Sequence, residues 1–563
     1  MSLFVPDYSE RFRASGHWGD TTIPGMFRDT CARASGRLGL VDPPDRAEVF
    51  EGTPRRLTYG EMLIEVDRYA ALLQSHGLGP GSLVATQLPN ISELILLYLA
   101  ISQIGAVLSP VSVAYRGAEL HAMSKIAQFD AYISVGRMRG KPYYAERLDA
   151  LPSTAKLLGI GSELPPEVTR IDTAHAPGKP EPVELAADKL FAVFWTSGTE
   201  GLPKAVPKTH NNMMASSLGA WRILGLPDGA NILSPFPFVN AAAMGGLMMC
   251  WMRTAGAMIL HHPFDVTIFI EQLKTEEIAY TMVAPTVLVY LREKAADPEL
   301  HPALHRLRAI GTGSAPPDPE VFAFFDAKFD IPVLNFFGSN EGAQLCSSPA
   351  QVVDPRKRAS FFPRDGDECW TDRPDGRTAN GGTFRIVDPA TGTPLTTPGS
   401  IGEMHIRGPA LMPGYFDRGG VRHDRIDAEG FFATGDLFEI SECGTLIRFH
   451  GRSRELIVRG GMKISPVELD GLLSALPRVR EVAVAAYPDA KMGEKVCLFA
   501  ALEEGASLDL ETVQRFCNDK QMAKFKWPER LILVEALPRT PLAKLDRKTL
   551  TRQLAEEGNA VHA

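Results

Sequence analysis

Cysteine is scarce in this chain. Seven are scattered singly among 563 residues, with no C-x-x-C pair. That argues against a zinc ribbon or a disulfide framework and makes a reducing cytoplasm the expected setting. Excess positive charge is also missing. The balance of 59 basic and 67 acidic side chains leaves a net charge of −8, the wrong sign for nucleic acid as a main partner. No apolar run reaches the ~18 residues of a membrane span. The longest, "ISELILLYLAIS" and "AAAMGGLMMCWM", fall short, so no membrane span is expected. The first residues, "MSLFVPDYSERFR", mix charges and contain no apolar h-region, so a secretory signal is not expected. There is no internal repeat and no low-complexity tract.

What is present is an ordinary globular balance, 45% apolar and 22% charged, in a chain long enough for two to four domains or subdomains. Segments alternate between strand-like and helix-like patterns. "LTYGEMLIEVDRYAALLQSHGLGPG" reads as a helix: Thr58 and Glu61 have capping-box spacing, and Gly77 and Gly79 stop it. "SLVATQLP" and "AYTMVAP" read as short buried strands, while "LRAIGTGSAP" and "PVLNFFGSNEG" run from apolar strands into small-residue loops. The expected fold is α/β: a large N-terminal domain of mostly parallel sheets with helices, whose ligand loops lie at strand C-termini. Frequent turns and alternation from about Gly382 predict a small β-rich subdomain. The residues beyond "GRSRELIVRGG" have their own helix–strand pattern, which predicts a small α+β C-terminal domain. The expected division is 1–450, a hinge at 451–455, and 456–563.

One loop points to chemistry. After the apolar run "LFAVFW", the segment "TSGTEGLPK" places Thr196, Ser197, Gly198, Thr199, Glu200, Gly201 and Lys204 in a short turn. The glycines let successive N–H groups aim at one anion, hydroxyls add donors, and the lysine adds charge. Phosphate is the expected ligand. The spacing is neither Walker A nor G-x-G-x-x-G, so neither a P-loop nor a Rossmann dinucleotide site is indicated. Met alone, such a loop is as readily a plain surface turn.

Six further segments follow: "GTGSAPP" at Gly311, "FFGSNEG" at Phe336, "GEMHIRGPALMPGYF" at Gly402, "FFATGDL" at Phe431, "GRSRELIVRGGMKISPVELD" at Gly451 and "LPRTPLAKLDRKTL" at Leu537. With the first loop they resemble, in order and rough spacing, the motifs of the adenylate-forming superfamily, which includes acyl- and aryl-CoA synthetases, adenylation domains and luciferases. The resemblance covers nearly the whole chain. It implies that a carboxylate is joined to ATP with release of pyrophosphate, and that the acyl group then passes to a thiol. ATP, Mg²⁺ and coenzyme A are the implied co-reactants, and a carrier protein is the alternative thiol partner.

By this resemblance the first loop grips the β- and γ-phosphates. Gly313, Ser314, Ala315, Phe336, Phe337, Gly338 and Ser339 line the nucleotide, with Phe337 against adenine. Glu341 binds Mg²⁺, a hard ion suited to carboxylate oxygen. Asn340 stands where the family usually has a threonine on the α-phosphate. Asp436 accepts the ribose hydroxyls and Arg452 also reaches the ribose. Lys544 is the lysine used for adenylation, Arg454 the hinge residue, and Gly460 and Gly461 flank a tunnel for the thiol, where only glycine allows close approach. The family's C-terminal domain is mobile and rotates between half-reactions. Two departures stand out: Glu200 replaces a hydroxyl residue, and Ala543 replaces the glycine before the catalytic lysine.

"HWGD" near His17 and "PKTHNN" at Pro207 resemble the dihydroxybenzoate-activating branch. That branch reads the ring 2-hydroxyl with the asparagine of a His-Asn pair. Here Asn240 and Ala241 occupy those positions. With Gly245, Gly311 and Gly338 they form the expected acid pocket, suited to an apolar acid of medium size: alicyclic, aromatic, or short-to-medium chain. CoA is the expected acceptor, with a stand-alone aryl-acid ligase loading a carrier protein as the alternative. A non-catalytic nucleotide binder ranks below both, because Glu341 and Lys544 are present. Acid identity and oligomeric state stay open.

Overall fold

The computed structural model describes residues 8–197, 203–261, 263–364, 382–417, 420–453, 455–459, 462–489, 492–520, 522–540 and 544–560. The chain divides into two compact units, Met1–Phe384 with Ile406–Phe432, and Arg385–His405 with Ala433–Ala563.

Two large sheets build the first unit, one of eight strands and one of nine. In both, the central strands pair in parallel; antiparallel strands close both edges of the eight-stranded sheet and one edge of the nine-stranded sheet, whose other edge stays parallel. Parallel strands need covering on both faces, which is why they read as apolar runs without alternation. Leu83–Gln87 is buried at every residue. The run "ISELILLYLAIS" folds as the helix Ser92–Gln103, buried through Ser102. It is apolar all round because it is a core helix. Among the described residues no helix is long and apolar enough to cross a membrane.

The helix Tyr59–Ser75 starts as its sequence predicts. Glu61 N–H donates to Thr58 Oγ1 at 3.3 Å, and Thr58 N–H donates to Glu61 Oε2 at 2.8 Å. Gly77 then takes φ +70°, a left-handed turn that ends the helix. The run "AAAMGGLMMCWM" is helical but irregular. Asn240 caps its start by accepting from Ala243 N–H at 2.9 Å, and Met244–Met248 forms a π-turn. Such turns are rare and concentrate at functional sites.

The second unit contains the β-rich segment. Thr383–Val387, Ile401–Arg407, Phe432–Ile440 and Leu446–Arg452 follow one another in a sheet. The long hairpin Val479–Asp489 and Gly493–Leu502 centres another sheet, with helices Pro466–Leu473, Leu510–Asp519 and Arg547–Ala560. This is the α+β pattern expected of the C-terminal part. By compactness, residues 385–405 belong with it.

Candidate active site

The strand Leu190–Ser197 is buried from Phe191 to Trp195. It pairs antiparallel with Pro203–Thr209, placing Thr196 opposite Lys204 and Ser197 opposite Pro203. The proposed phosphate loop therefore joins two strands of one sheet. Gly198, Thr199, Glu200 and Gly201 lie outside the described residues. At the loop's return, Lys204 Nζ sits 4.8 Å from the centre of the Tyr415 ring, within cation–π range.

The strand Val333–Gly338 ends the parallel part of the eight-stranded sheet, and a tight loop then turns the chain into Gln344–Ser347. Ser339 N–H donates to Ala343 O at 3.0 Å and Gly342 N–H to Ser339 O at 3.2 Å. Gly342 has φ +131°, and a Cβ there would lie 2.5 Å from Ala410 O, so the position requires glycine. Asn340 and Glu341 are presented at this loop.

Four donors hold the two residues. Tyr415 Oη donates to Glu341 Oε1 at 3.0 Å. Lys208 Nζ at 3.1 Å and Met412 N–H at 2.7 Å both donate to the Glu341 carbonyl. Asn340 Nδ2 donates to Trp195 O at 3.2 Å, and its Oδ1 accepts from Ala241 N–H at 2.9 Å. One amide thus braces the strand Leu190–Ser197 against Ala241, the first residue of the helix that Asn240 caps. Its second N–H is not committed by these two bonds.

Lys208 and Tyr415 were not legible as site residues. Lys208 is 0% exposed. Its Nζ also donates to Ala410 O at 2.5 Å. Burial pushes its pKa down to about 7, against the opposing pull of the Glu341 charge. Burial and the neighbouring Glu341 push the Tyr415 phenol up, so it remains a donor to that carboxylate. The segment carrying Ala410 is held from other sides too. Asn212 Nδ2 donates to Pro409 O at 2.9 Å and Leu411 O at 3.0 Å, and Trp18 Nε1 to Pro409 O at 3.0 Å. The signal that could have exposed Lys208 is a lysine inside "AVPKTH", a strand otherwise fit for burial.

Phe336 and Phe337 point to opposite faces, as strand alternation requires. Phe336 faces the glycines: a Cβ on Gly311 would lie 3.1 Å from Phe336 Cε2. Phe337 packs edge-on to Phe362 at 6.3 Å. Ser314 and Ala315 are exposed at the C-terminal end of the strand Ala309–Gly313, and Ser314 takes φ +74°, uncommon for a residue with a Cβ. Gly338, at the end of its own strand, is exposed. Asn240 caps the helix that begins at Ala241, and Gly245 stands against Ser216, 3.7 Å from a built Cβ. Residues 204, 240–245, 311–315 and 336–341 all belong to the first unit.

In the second unit, Asp436 and Arg452 are register partners of one hairpin. Arg452 Nε donates to Asp436 Oδ1 at 3.2 Å. Asp436 is buried and Arg452 exposed, so the arginine screens the carboxylate from one side. Lys544 is exposed; its N–H donates to Thr540 Oγ1 at 3.2 Å and its carbonyl accepts from Thr540 N–H at 2.7 Å. Arg454, Gly460 and Gly461 lie outside the described residues.

Two sequence families match the chain: AMP-binding enzyme over residues 39–416 and AMP-binding enzyme C-terminal domain over residues 468–544. The chain is 30% identical to a medium-chain fatty-acid–CoA ligase of Escherichia coli (strain K12), over 97% of this chain and 93% of that protein. It is 28% identical to a salicylyl-CoA synthase / salicylate adenylyltransferase of a Streptomyces species, over 100% and 99%. Among solved structures it resembles ATP-bound MatB from Rhodopseudomonas palustris, with a TM-score of 0.75 and 25% identity, over 95% of this chain and 99% of that one. The chain belongs to the AMP-binding enzyme family, the adenylate-forming superfamily, and is an acid–thiol ligase of the AMP-forming kind.

Proposed function

We propose that this chain is an ATP-dependent carboxylic acid:CoA ligase acting on an apolar acid of medium size, and that it works in the cytoplasm. The observation that carries the reading is the Asn340–Glu341 loop, which stands at the C-terminal edge of a parallel sheet and is braced to both the phosphate-loop strand and the glycine-lined pocket. One element thus adjoins the places for acid and phosphates.

In the first half-reaction the acid's carboxylate oxygen attacks the α-phosphorus of ATP, and pyrophosphate leaves. Holding both anions in line lowers the entropic part of the barrier, and fixed donors offset charge at the reacting oxygens. Lys204 and the loop from Thr196 hold the β- and γ-phosphates. Asp436 accepts from the ribose, and its bond to Arg452 orients the carboxylate. Phe337 lies against the adenine. Lys544 bridges the carboxylate and the α-phosphate. In the second half-reaction the thiol attacks the acyl carbon beside Gly460 and Gly461, and AMP leaves. The working division is 1–450, a hinge at 451–455 around Arg454, and 456–563.

The donor set fits Mg²⁺. Among the described residues no three of His, Cys, Asp and Glu come together as a cation cage. Mg²⁺ needs none when one carboxylate acts with substrate phosphates. Glu341 is that carboxylate, held in place by Tyr415. The ion would neutralise phosphate charge.

The test is pyrophosphate release across a panel of carboxylic acids, with and without CoA. Release should depend on the acid, and thioester should form only with CoA. Salicylate and 2,3-dihydroxybenzoate should fall below an unsubstituted acid of similar size. No side chain replaces the 2-hydroxyl reader at Asn240–Ala241, so that hydroxyl is desolvated without return. If dihydroxybenzoate had the highest kcat/KM, the pocket assignment would be wrong. Adenylate that accumulates with CoA but discharges onto a carrier protein would favour the alternative acceptor.

A further inference from the structure

The acid pocket is less uniformly apolar than its sequence suggests. Alternation along the strand Ile278–Val283 puts Tyr280 and Met282 on the face shared with Gly311, the register partner of Met282. A Cβ on Gly311 would lie 2.6 Å from Tyr280 Oη and 3.1 Å from Met282 Cγ. From the opposite wall, a Cβ on Gly246 would lie 3.6 Å from Met282 Cε. Strand glycine and helix glycine therefore face each other across Met282, with Tyr280 beside Gly311 on the strand side.

Tyr280 is 0% exposed, yet among the described residues its hydroxyl has no hydrogen-bond partner. Ser216, beside Gly245 on the helical wall, is 5% exposed, and its hydroxyl is likewise unpartnered. Buried hydroxyls are almost always paired, and leaving one unmade costs stability. Here two stand beside Gly311 and Gly245, the glycines assigned to the acid pocket. Burial pushes the Tyr280 phenol well above its ordinary pKa, so it stays O–H and can both donate and accept.

Depth fixes which end of the substrate they meet. The parallel strands end at Val283, Gly313 and Gly338, and the Asn340 loop begins there. Tyr280 lies three residues back from Val283, roughly 10 Å below that edge at the usual strand rise. With the carboxylate at the edge, the phenol meets the far end of the acid.

Resting on the ligase reading above, we propose that Tyr280, assisted by Ser216, recognises a hydrogen-bonding group at the distal end of the acid. The substrate is then an apolar body with a hydroxyl, amino or carbonyl group remote from its carboxylate. An ortho-hydroxyl, next to the carboxylate, does not reach these residues.

The test compares kcat/KM for pyrophosphate release within matched pairs: benzoate and 4-hydroxybenzoate, benzoate and 4-aminobenzoate, hexanoate and 6-hydroxyhexanoate. Both the wild type and Tyr280→Phe are measured, with Tm recorded for each. Tyr280→Phe removes one unpartnered oxygen, so its Tm should equal or exceed the wild type's. In the pair whose size the pocket accepts, the distal group should raise wild-type kcat/KM about tenfold, and Tyr280→Phe should bring that ratio close to one. A wild type preferring the unsubstituted acid of every pair, with ratios that Tyr280→Phe leaves unmoved, would make Tyr280 a core side chain and overturn the proposal while the ligase reading stands. Absence of pyrophosphate release with every acid would remove the ligase reading itself, and the proposal with it.

Discussion

Lys544→Ala should slow adenylation by on the order of 10²- to 10³-fold while leaving thioester formation from a pre-made acyl-adenylate nearly intact. The ammonium is a compact charge on a flexible stem, suited to bridging the attacking carboxylate and the α-phosphate. In the proposed role its contribution is greatest as pyrophosphate leaves, so the loss should fall on kcat rather than on substrate binding. A loss of that size corresponds to ~3–4 kcal/mol, typical of removing one donor from a developing charge. The backbone of Lys544 is held by bonds to Thr540, which a side-chain truncation spares. Lys548, exposed on the helix Arg547–Ala560, is the internal control. Were "PLAKLDRK" only a solvated basic face, Lys544→Ala and Lys548→Ala would be equally silent in a single-turnover assay, and Lys544 would leave the mechanism.

Acid should destabilise the fold through His210. Its Nδ1 accepts the Ile23 N–H at 3.2 Å, so the native ring is neutral, and burial pushes its pKa from 6.5 to about 4. The unfolded chain takes up a proton near pH 6.5 that the folded chain refuses until about pH 4. Stability contributed by the neutral ring is therefore complete above pH 6.5, falls as the pH drops through this window, and levels off below it. The loss should approach about 3 kcal/mol. His210→Asn retains an acceptor for Ile23 without a titrating ring. Urea unfolding midpoints measured from pH 7 to pH 4 should fall more steeply for the wild type than for this variant. Parallel curves would mean that His210 is protonated in the native state.

Much of the fold is legible because its signals are local. Thr58 and Glu61 are three residues apart and form the capping box that their spacing predicts. Apolar runs such as Leu83–Gln87 became buried parallel strands, and small-residue loops at Gly313 and Gly338 fall at strand ends as α/β topology requires. What stayed hidden depends on partners far along the chain. Lys208 meets Glu341 and Ala410 across 133 and 202 residues. Asn340 joins Trp195 to Ala241 across 145 and 99. Tyr280 looks like an ordinary strand aromatic until its register beside Gly311 is known. The change of character near Gly382 is plain in the sequence, but the grouping of residues 385–405 with the C-terminal part is a matter of packing. Phosphate-loop chemistry could be argued from residue types alone, whereas the bracing that holds Glu341 could not.

The central claim is that the acid is activated by bonding its own oxygen to the α-phosphorus before the thiol attacks. The direct measurement uses a carboxylate labelled with ¹⁸O at both oxygens, together with ATP and CoA, followed by mass analysis of the nucleotide and phosphate products. Thiol attack on the acyl carbon breaks the carbon–oxygen bond and leaves the bridging oxygen on the nucleotide. The account predicts AMP carrying one ¹⁸O and unlabelled pyrophosphate. Labelled orthophosphate together with unlabelled ADP would mean an acyl phosphate, and would contradict it.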